Sequence, residues 1–365
     1  MDGEMESKNS QEATTGKRVA LVLGSGGARG YAHIGVIEEL ERRGYEIAAI
    51  SGCSMGALVG GIYAAGELSA YRDWVCQLDY VDVLKLIDVT WSPMGAMRAS
   101  KVMSKLEGLI GNKCLEELAV PLTTVATDLV RQREVWFQSG SLLQAIRASI
   151  AVPGIITPVT IGEQILVDGG LMNPLPIIPT VSAHVDLVLA VNATAHSPQP
   201  VSLDDLLPEQ DIAEENAREQ EREDQGIIFA HWLEEARAWA QQRFFSNGDD
   251  EEEHGNEQAK QKRAWGRLDM MLASFDITQA ALAKYKIAGY PPDVLIEIPK
   301  TVCGAYEFHR AEALISLGRH LAEQALDAYE GGCSKSAKMS RHVEVTRQTP
   351  RSETGKSSPA SDEPG

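Results

Sequence analysis

Positive charge is scarce in this 365-residue chain: 34 Lys and Arg stand against 52 Asp and Glu, a formal net charge of −18 at pH 7. A surface of that sign repels a phosphate backbone, so nucleic acid is not an expected partner. Cysteine is scarce too. The five cysteines are odd in number and show no close pairing pattern. That fits a reducing compartment, with neither a disulfide framework nor a metal site. No apolar run reaches the roughly 18 residues that a spanning helix needs. The first sixteen residues are polar and lack the apolar core of a secretory signal. These absences describe a cytoplasmic protein, peripheral at most at the inner face of a membrane, with no cofactor or metal called for. No internal repeat is visible.

Against this background the stretch Gly52-Cys53-Ser54-Met55-Gly56 stands out as a G-x-S-x-G pentapeptide. Its flanks supply the strand and helix that the motif requires. Glu46–Ile50 reads as a short buried strand, and Ala57–Tyr63 reads as a helix. The turn between them forces the serine into a sterically hostile backbone conformation. Glycine at Gly52 and Gly56 removes the Cβ atoms that would clash there. The hydroxyl then stands clear of the sheet at a helix N-terminus, where negative charge is favoured. Ser54 is a candidate nucleophile, and Cys53 beside it reads as a small buried side chain.

Upstream, the near-continuous apolar run Arg18–Leu23 has the character of a buried parallel strand. It ends in Gly24-Ser25-Gly26-Gly27-Ala28-Arg29-Gly30. A helix with Ile34, Ile37 and Leu40 on one face follows and stops near Gly44. Strand, glycine loop and helix form half of a βαβ unit whose second strand is the elbow strand. The two glycine-rich turns are expected side by side at the carboxyl ends of neighbouring strands, where open α/β sheets place their sites. As a dinucleotide loop the first turn fails, because the sixth position from Gly24 is Arg29 and no convincing acidic residue closes the next strand. As an oxyanion hole it succeeds, since consecutive glycines leave backbone N–H groups unobstructed. Arg29 is a candidate for positive charge at the mouth of the site, or equally for a surface ion pair. His33 reads as a packed structural histidine.

Further along, Glu67 to Asn112 is mostly helical in pattern and hard to divide. It breaks at Trp91–Gly95, and Ser100 is placed to cap the helix after the break. Leu122–Asp128 and Glu134–Gln138 read as strands. A short helix carrying Leu142, Leu143 and Ile146 leads into the block Ala148–Gly154, where proline and glycine end it. In Gln164–Gly170 an apolar strand end delivers Asp168 into a Gly169-Gly170 turn. Asp-Gly is common in hairpin turns, but a serine without an obvious base makes Asp168 a candidate base. Val185–Val191 and Pro292–Ile298 read as buried strands. Leu268–Lys286 and Phe308–Tyr329 read as helices, the latter with Leu314, Leu317 and Leu321 facing inward. Pro200 to Arg263 carries 18 Asp and Glu against 7 Lys and Arg, a net of −11, so most of the chain's charge is local. Residues 1–16 then read as a disordered tail, 17–199 as the first part of a catalytic domain and 200–265 as an acidic, partly helical insertion. Residues 266–330 read as the domain's last strand and helix, and 331–365 as a second disordered tail. The insertion is a solvated face in the plainer reading and a protein docking site in the other.

Glycine loop, serine elbow and Asp168-Gly169-Gly170, in that order, resemble the patatin-like phospholipase family, and its bacterial members above all. The loop Gly24–Gly30 and the block Ala148–Gly154 both fit that likeness. The resemblance implies a three-layer α/β/α fold with a mainly parallel central sheet. It implies hydrolysis of lipid carboxylic esters, of phospholipase A or lysophospholipase type, by a Ser-Asp dyad without a catalytic histidine. Carried over, Ser54 is the nucleophile, Asp168 the base, and Gly26, Gly27 and Ala28 supply oxyanion N–H groups. The partners are then a lipid or phospholipid ester and, transiently, a membrane surface. Three rivals remain: a Ser–His–Asp hydrolase using His309 or His320, a catalytically weak or inactive regulatory protein that keeps the fold, and a nucleotide-binding protein using the Gly24 loop.

Overall fold

The structure, a computed structural model, describes residues 16–88, 95–197, 200–208, 211–213, 215 and 267–346. Most of the acidic insertion, including its helix-like stretch 230–245, lies outside them, as do residues 1–15 and 347–365. The chain divides into one unit through Ala325 and a second from Leu326, whose described part is the continuation of a single helix. In chain order the strands are β1 (Arg18–Leu23), β2 (Glu46–Cys53), β3 (Gly95–Met97), β4 (Leu122–Asp128), β5 (Arg133–Phe137), β6 (Gly154–Ile156), β7 (Val159–Ile161), β8 (Gln164–Asp168), β9 (Leu187–Ala195) and β10 (Val294–Pro299). The helices are α1 (Ala32–Arg42), α2 (Met55–Ala64), α3 (Leu68–Cys76), α4 (Tyr80–Leu86), α5 (Ser100–Ile110), α6 (Leu142–Ser149), α7 (Arg267–Gly289) and α8 (Ala311–Thr346).

The main sheet has the order β10-β9-β1-β2-β4-β8-β7, with β5 also paired to β4. From β10 to β4 every neighbour is parallel, and β5, β8 and β7 join antiparallel. Helices flank this sheet, so the α/β class and its mainly parallel character are as expected. Val19 through Leu23 of β1 are wholly buried. Val22 packs with Ala190 and with Ala283 of α7, while Leu23 reaches α2 beside Gly60. Consecutive side chains thus find cover on opposite faces, which is why β1 is continuously apolar instead of alternating. Nine of the ten α2 residues are buried, as a helix apolar on every side must be.

One edge of β4 positions the site. β5 lies antiparallel along Thr124–Asp128 and fills one side. On the other side β2 pairs Ile50–Cys53 with Leu122–Val125, and β8 pairs Leu166–Asp168 with Asp128 back to Ala126. The two strands run head-on along one edge. Cys53 ends opposite Val125 and Asp168 ends opposite Ala126, so the elbow and the Asp-Gly-Gly turn meet.

Two regions differ from the sequence reading. The stretch 67–112 divides into α3, α4 and α5, with β3 forming a separate two-stranded parallel sheet with β6; three-residue strands show no period to read. The last helix does not stop before Gly331, where a tail was expected, but runs to Thr346. Each glycine weakens a helix interior by about 1 kcal/mol, and no proline intervenes before Pro350. No helix among the described residues is long and apolar enough to cross a membrane.

α1 and α8 cross backbone against backbone. A Cβ on Gly35 would stand 1.9 Å from the carbonyl oxygen of Ile315, and one on Gly318 would stand 2.0 Å from that of Ala32. Alanine ordinarily improves a helix interior over glycine by about 1 kcal/mol, yet here the helices would have to separate, at about 1–3 kcal/mol. Gly35→Ala is therefore expected to lower the melting temperature in a calorimetric scan, and a higher one would contradict the close crossing.

Candidate active site

The turn from β2 into α2 holds Ser54 at φ 55° and ψ −120°, a region that side-chain-bearing residues avoid. The turn is this tight because α2 starts against the end of β1: a Cβ on Gly56 would lie 2.1 Å from the carbonyl oxygen of Leu23. Ser54 is 7% exposed and lines a cavity. Its N–H donates to the Ser149 hydroxyl at 2.8 Å, and that hydroxyl donates to the Val125 carbonyl at 2.6 Å.

Asp168 is completely buried at the end of β8. Its N–H donates to the Ala151 carbonyl at 2.9 Å, and its Oδ1 accepts from the Gly170 N–H at 2.7 Å. The Cys53 thiol donates to Oδ1 at 3.9 Å. Burial pushes the Asp168 pKa up to about 6, while the Ser54 hydroxyl, the Gly170 N–H and the Cys53 thiol restrain the rise. Oδ2 accepts no hydrogen bond from any described group. Ser54 is therefore close enough to influence the carboxyl but not joined to it by a full hydrogen bond, a looseness common in substrate-free sites. Cys53 is wholly buried with its thiol pKa pushed well up, chiefly by burial, so it stays protonated.

The glycine loop lies at the end of β1, the strand next to β2. No described group accepts a hydrogen bond from the N–H of Gly26 or of Gly27, and both residues line the same cavity as Ser54. Ala28 differs from expectation. Its N–H donates to the Ala305 carbonyl at 2.8 Å and is not available to an oxyanion. Arg29 lines that cavity too, and it is too deeply buried for a surface ion pair. It is 4% exposed, and its guanidinium donates to the carbonyls of Gly26 at 3.1 Å and Lys300 at 3.2 Å. In a trans peptide the C=O and N–H point opposite ways, so holding the Gly26 carbonyl aims the Gly27 N–H away from Arg29.

The histidines stand apart. His33 is fully buried, with Nε2 2.8 Å from the Gly24 carbonyl, and burial lowers its pKa to about 4. It is a neutral brace of the loop. His309 stacks on Tyr80 with ring centroids 3.7 Å apart, and His320 bonds to Gln324. Among the described residues no histidine lines the cavity that holds Ser54.

That cavity measures about 240 Å³. Its walls include Tyr71 and Trp74 of α3, Leu86 of α4, Val102 of α5, and Leu272 and Phe275 of α7. Sequence reasoning did not find it, because its walls come from the stretch that resisted division and from a helix beyond the insertion. It also passed over Ser149. The block containing Ser149 was visible, but a serine at a helix end carries no mark of its partner.

A strained elbow serine at the carboxyl edge of a mainly parallel sheet, meeting a buried aspartate on an antiparallel strand, is the build of a patatin-type α/β protein. The family described as patatin-like phospholipase matches residues 21–181, a span that holds the glycine loop, the elbow and Asp168. An uncharacterized NTE family protein of Mycobacterium tuberculosis H37Rv is 39% identical over 345 residues, which are 88% of this chain and 94% of that protein. A Mycobacterium bovis protein of the same description gives the same figures. Patatin-like phospholipase domain-containing protein 6 of Mus musculus is 32% identical over 186 residues, 49% of this chain and 14% of that protein. Among solved structures, VipD from Legionella pneumophila aligns over 86% of this chain and 67% of its own, at a TM-score of 0.41 and 14% identity; the assignment does not rest on it. The chain belongs to the patatin-like phospholipase family.

The raised Asp168 pKa is also a statement about stability. Below the unfolded value of about 3.9 the carboxyl is protonated in both states. As pH rises through about 6 the folded protein must hold the charge in a buried place, and stability falls by an amount on the order of 2–3 kcal/mol. Asp168→Asn is therefore expected to melt above wild type at pH 8 and level with it near pH 4. Equal melting at both pH values would show that the carboxyl is not strained by burial.

Proposed function

We propose that this chain is a serine hydrolase of lipid carboxylic esters, of phospholipase A or lysophospholipase type, acting through Ser54 and Asp168. The observation that carries the reading is the convergence of strained Ser54, buried Asp168 and the unengaged Gly26 and Gly27 amides beside one apolar-walled cavity.

A serine hydroxyl is a weak nucleophile without a base. Asp168 Oδ1 is anchored by Gly170, which leaves Oδ2 as the oxygen that takes the Ser54 proton. The serine Oγ attacks the ester carbonyl, and its electrons move onto the carbonyl oxygen. The Gly26 and Gly27 N–H groups hold that oxyanion, each worth roughly 3 kcal/mol in comparable sites. Collapse expels the alcohol, which takes the proton from Asp168. Water then gives a proton to the same carboxylate and attacks the acyl-enzyme, and collapse releases the acid as Ser54 Oγ leaves and takes that proton back from Asp168. The cavity houses the acyl chain and keeps bulk water from the buried base. The second reading is a catalytically weak binding protein, favoured by the absence of a full Ser54–Asp168 hydrogen bond.

The setting this reading expects is cytoplasmic, at a membrane surface. α7 supports it by being apolar on two sides: Leu272 and Phe275 face the cavity, while Ile277 is 64% and Tyr285 76% exposed.

Ser54→Ala should abolish both hydrolysis across a panel of lipid esters and labelling by a fluorophosphonate, with the fold intact by circular dichroism. In wild type kcat/KM should rise through pH 6 as Asp168 ionises, and His33→Asn, His309→Asn and His320→Asn should each keep that limb. Hydrolysis surviving in pure Ser54→Ala would refute the assignment.

A second measurement addresses the surface. Ile277→Asp combined with Tyr285→Asp should cut hydrolysis of phospholipid in vesicles by about tenfold or more, since each charge must enter an apolar interface, and leave a short soluble ester unaffected. Equal loss on both substrates would mean that α7 serves the site alone.

A further inference from the structure

The pairing register of β2 on β4 predicts a rung that the elbow does not make directly. In a parallel pair the N–H of a residue on one strand reaches the carbonyl just before its partner on the other. Ile50, partnered with Leu122, donates to the Pro121 carbonyl at 2.9 Å. Rungs recur every second residue, so Gly52, partnered with Thr124, addresses Thr123, and the next rung falls between the Ser54 N–H and the Val125 carbonyl. Yet Ser54 has left the strand at φ 55°, and its N–H meets the Ser149 hydroxyl at 2.8 Å, which in turn donates to Val125 at 2.6 Å.

We propose that Ser149 is the positioning residue of the nucleophile: its hydroxyl is inserted into the ladder as a two-bond rung that holds the elbow open at the end of β2. This rests on the reading of Ser54 as the nucleophile. A hydroxyl suits the place because it accepts and donates at once, matching an N–H on one side and a C=O on the other. The location is also where the ladder is interrupted, since Val125 is the last β4 residue paired with β2 and Ala126 the first paired with β8. Two residues on, Ala151 accepts the N–H of Asp168. One short segment thus fixes the backbone at both members of the dyad.

Ser149 is wholly buried. Without its hydroxyl the Ser54 N–H and the Val125 C=O lose their partners together. The elbow can then close toward the direct rung, which draws Oγ away from Asp168, or stay open and unfixed. Either outcome harms the geometry of attack while leaving the acyl cavity in place, so kcat should suffer and KM should not. A displacement of about 1 Å at a nucleophile costs on the order of 100-fold in rate.

The test uses the full chain with Ser149→Ala, Ser149→Thr and Ser149→Cys, followed by two readouts. The first is hydrogen exchange of the Ser54 amide by NMR, which reads the rung whether or not the protein is active. The second is the rate of fluorophosphonate labelling of Ser54, with kcat and KM on a soluble ester. Ser149→Ala should exchange the Ser54 amide faster, label and turn over roughly 10- to 100-fold more slowly and keep KM within about twofold, while Ser149→Thr recovers most of the rate. If Ser149→Ala does not fold, Ser149→Cys carries the test, with a rate loss at wild-type melting temperature expected. Unchanged amide exchange in the folded variant would overturn the rung, and wild-type labelling with faster exchange would overturn its role in positioning. A wild-type protein that protects the Ser54 amide but does not label at Ser54 would leave the rung standing and bring down the hydrolase reading instead.

Discussion

Two strands cannot occupy the same stretch of one sheet edge, and the site follows from that exclusion. β2 arrives parallel to β4 and β8 arrives antiparallel, so both must stop where they meet. Their last residues face Val125 and Ala126, neighbours on a rigid central strand, where the step along the chain is only about 3.3 Å. The closeness of Ser54 and Asp168 is thereby set by sheet geometry and not by the reach of loops, the more exact of the two ways to place reacting groups. β1, one strand over, brings the glycine loop to the same edge.

The arrangement is costly to the fold. A serine at positive φ, an ionised carboxylate without solvent and two amides without partners each destabilise the native state by an amount on the order of 1–3 kcal/mol. They persist because the surroundings over-determine them. β1 is buried from Val19 to Leu23, α2 is sealed on nearly every side, and the elbow glycines leave no room for a Cβ. Rigidity that would be excessive elsewhere is what keeps an unfavourable geometry from relaxing.

Much of this was legible in the residues. The strand–turn–helix around Ser54, the paired glycine turns and the strand end at Asp168 follow from local pattern, because glycine and continuous apolar runs have few alternative uses. The cavity beside Ser54 was not legible. Its walls combine α3, α4 and α5 with α7, elements whose inward residues look like ordinary core until the third dimension brings them around an empty space. Ala28 was misjudged for a related reason. Sequence shows that an N–H is unobstructed but not that a carbonyl nearly 280 residues away will claim it. Arg29 reads equally as a charge at the site mouth or as a surface ion pair, and its burial against the Lys300 carbonyl is what no local pattern shows.

Those two contacts have a consequence for the order in which the protein is made. Ala28 and Arg29 are held by Ala305 and Lys300, and the open side of β1 is completed only by β9. A ribosome extends a chain at about 5–20 residues per second, so the elbow and the aspartate emerge many seconds before the segment that steadies the glycine loop. A chain halted within the acidic stretch would already hold Ser54 and Asp168 yet lack the two carbonyls that fix Ala28 and Arg29 of the glycine loop. The glycine loop is thus the part of the sheet's carboxyl edge that is finished last, and what finishes it is a pair of backbone carbonyls from beyond the insertion.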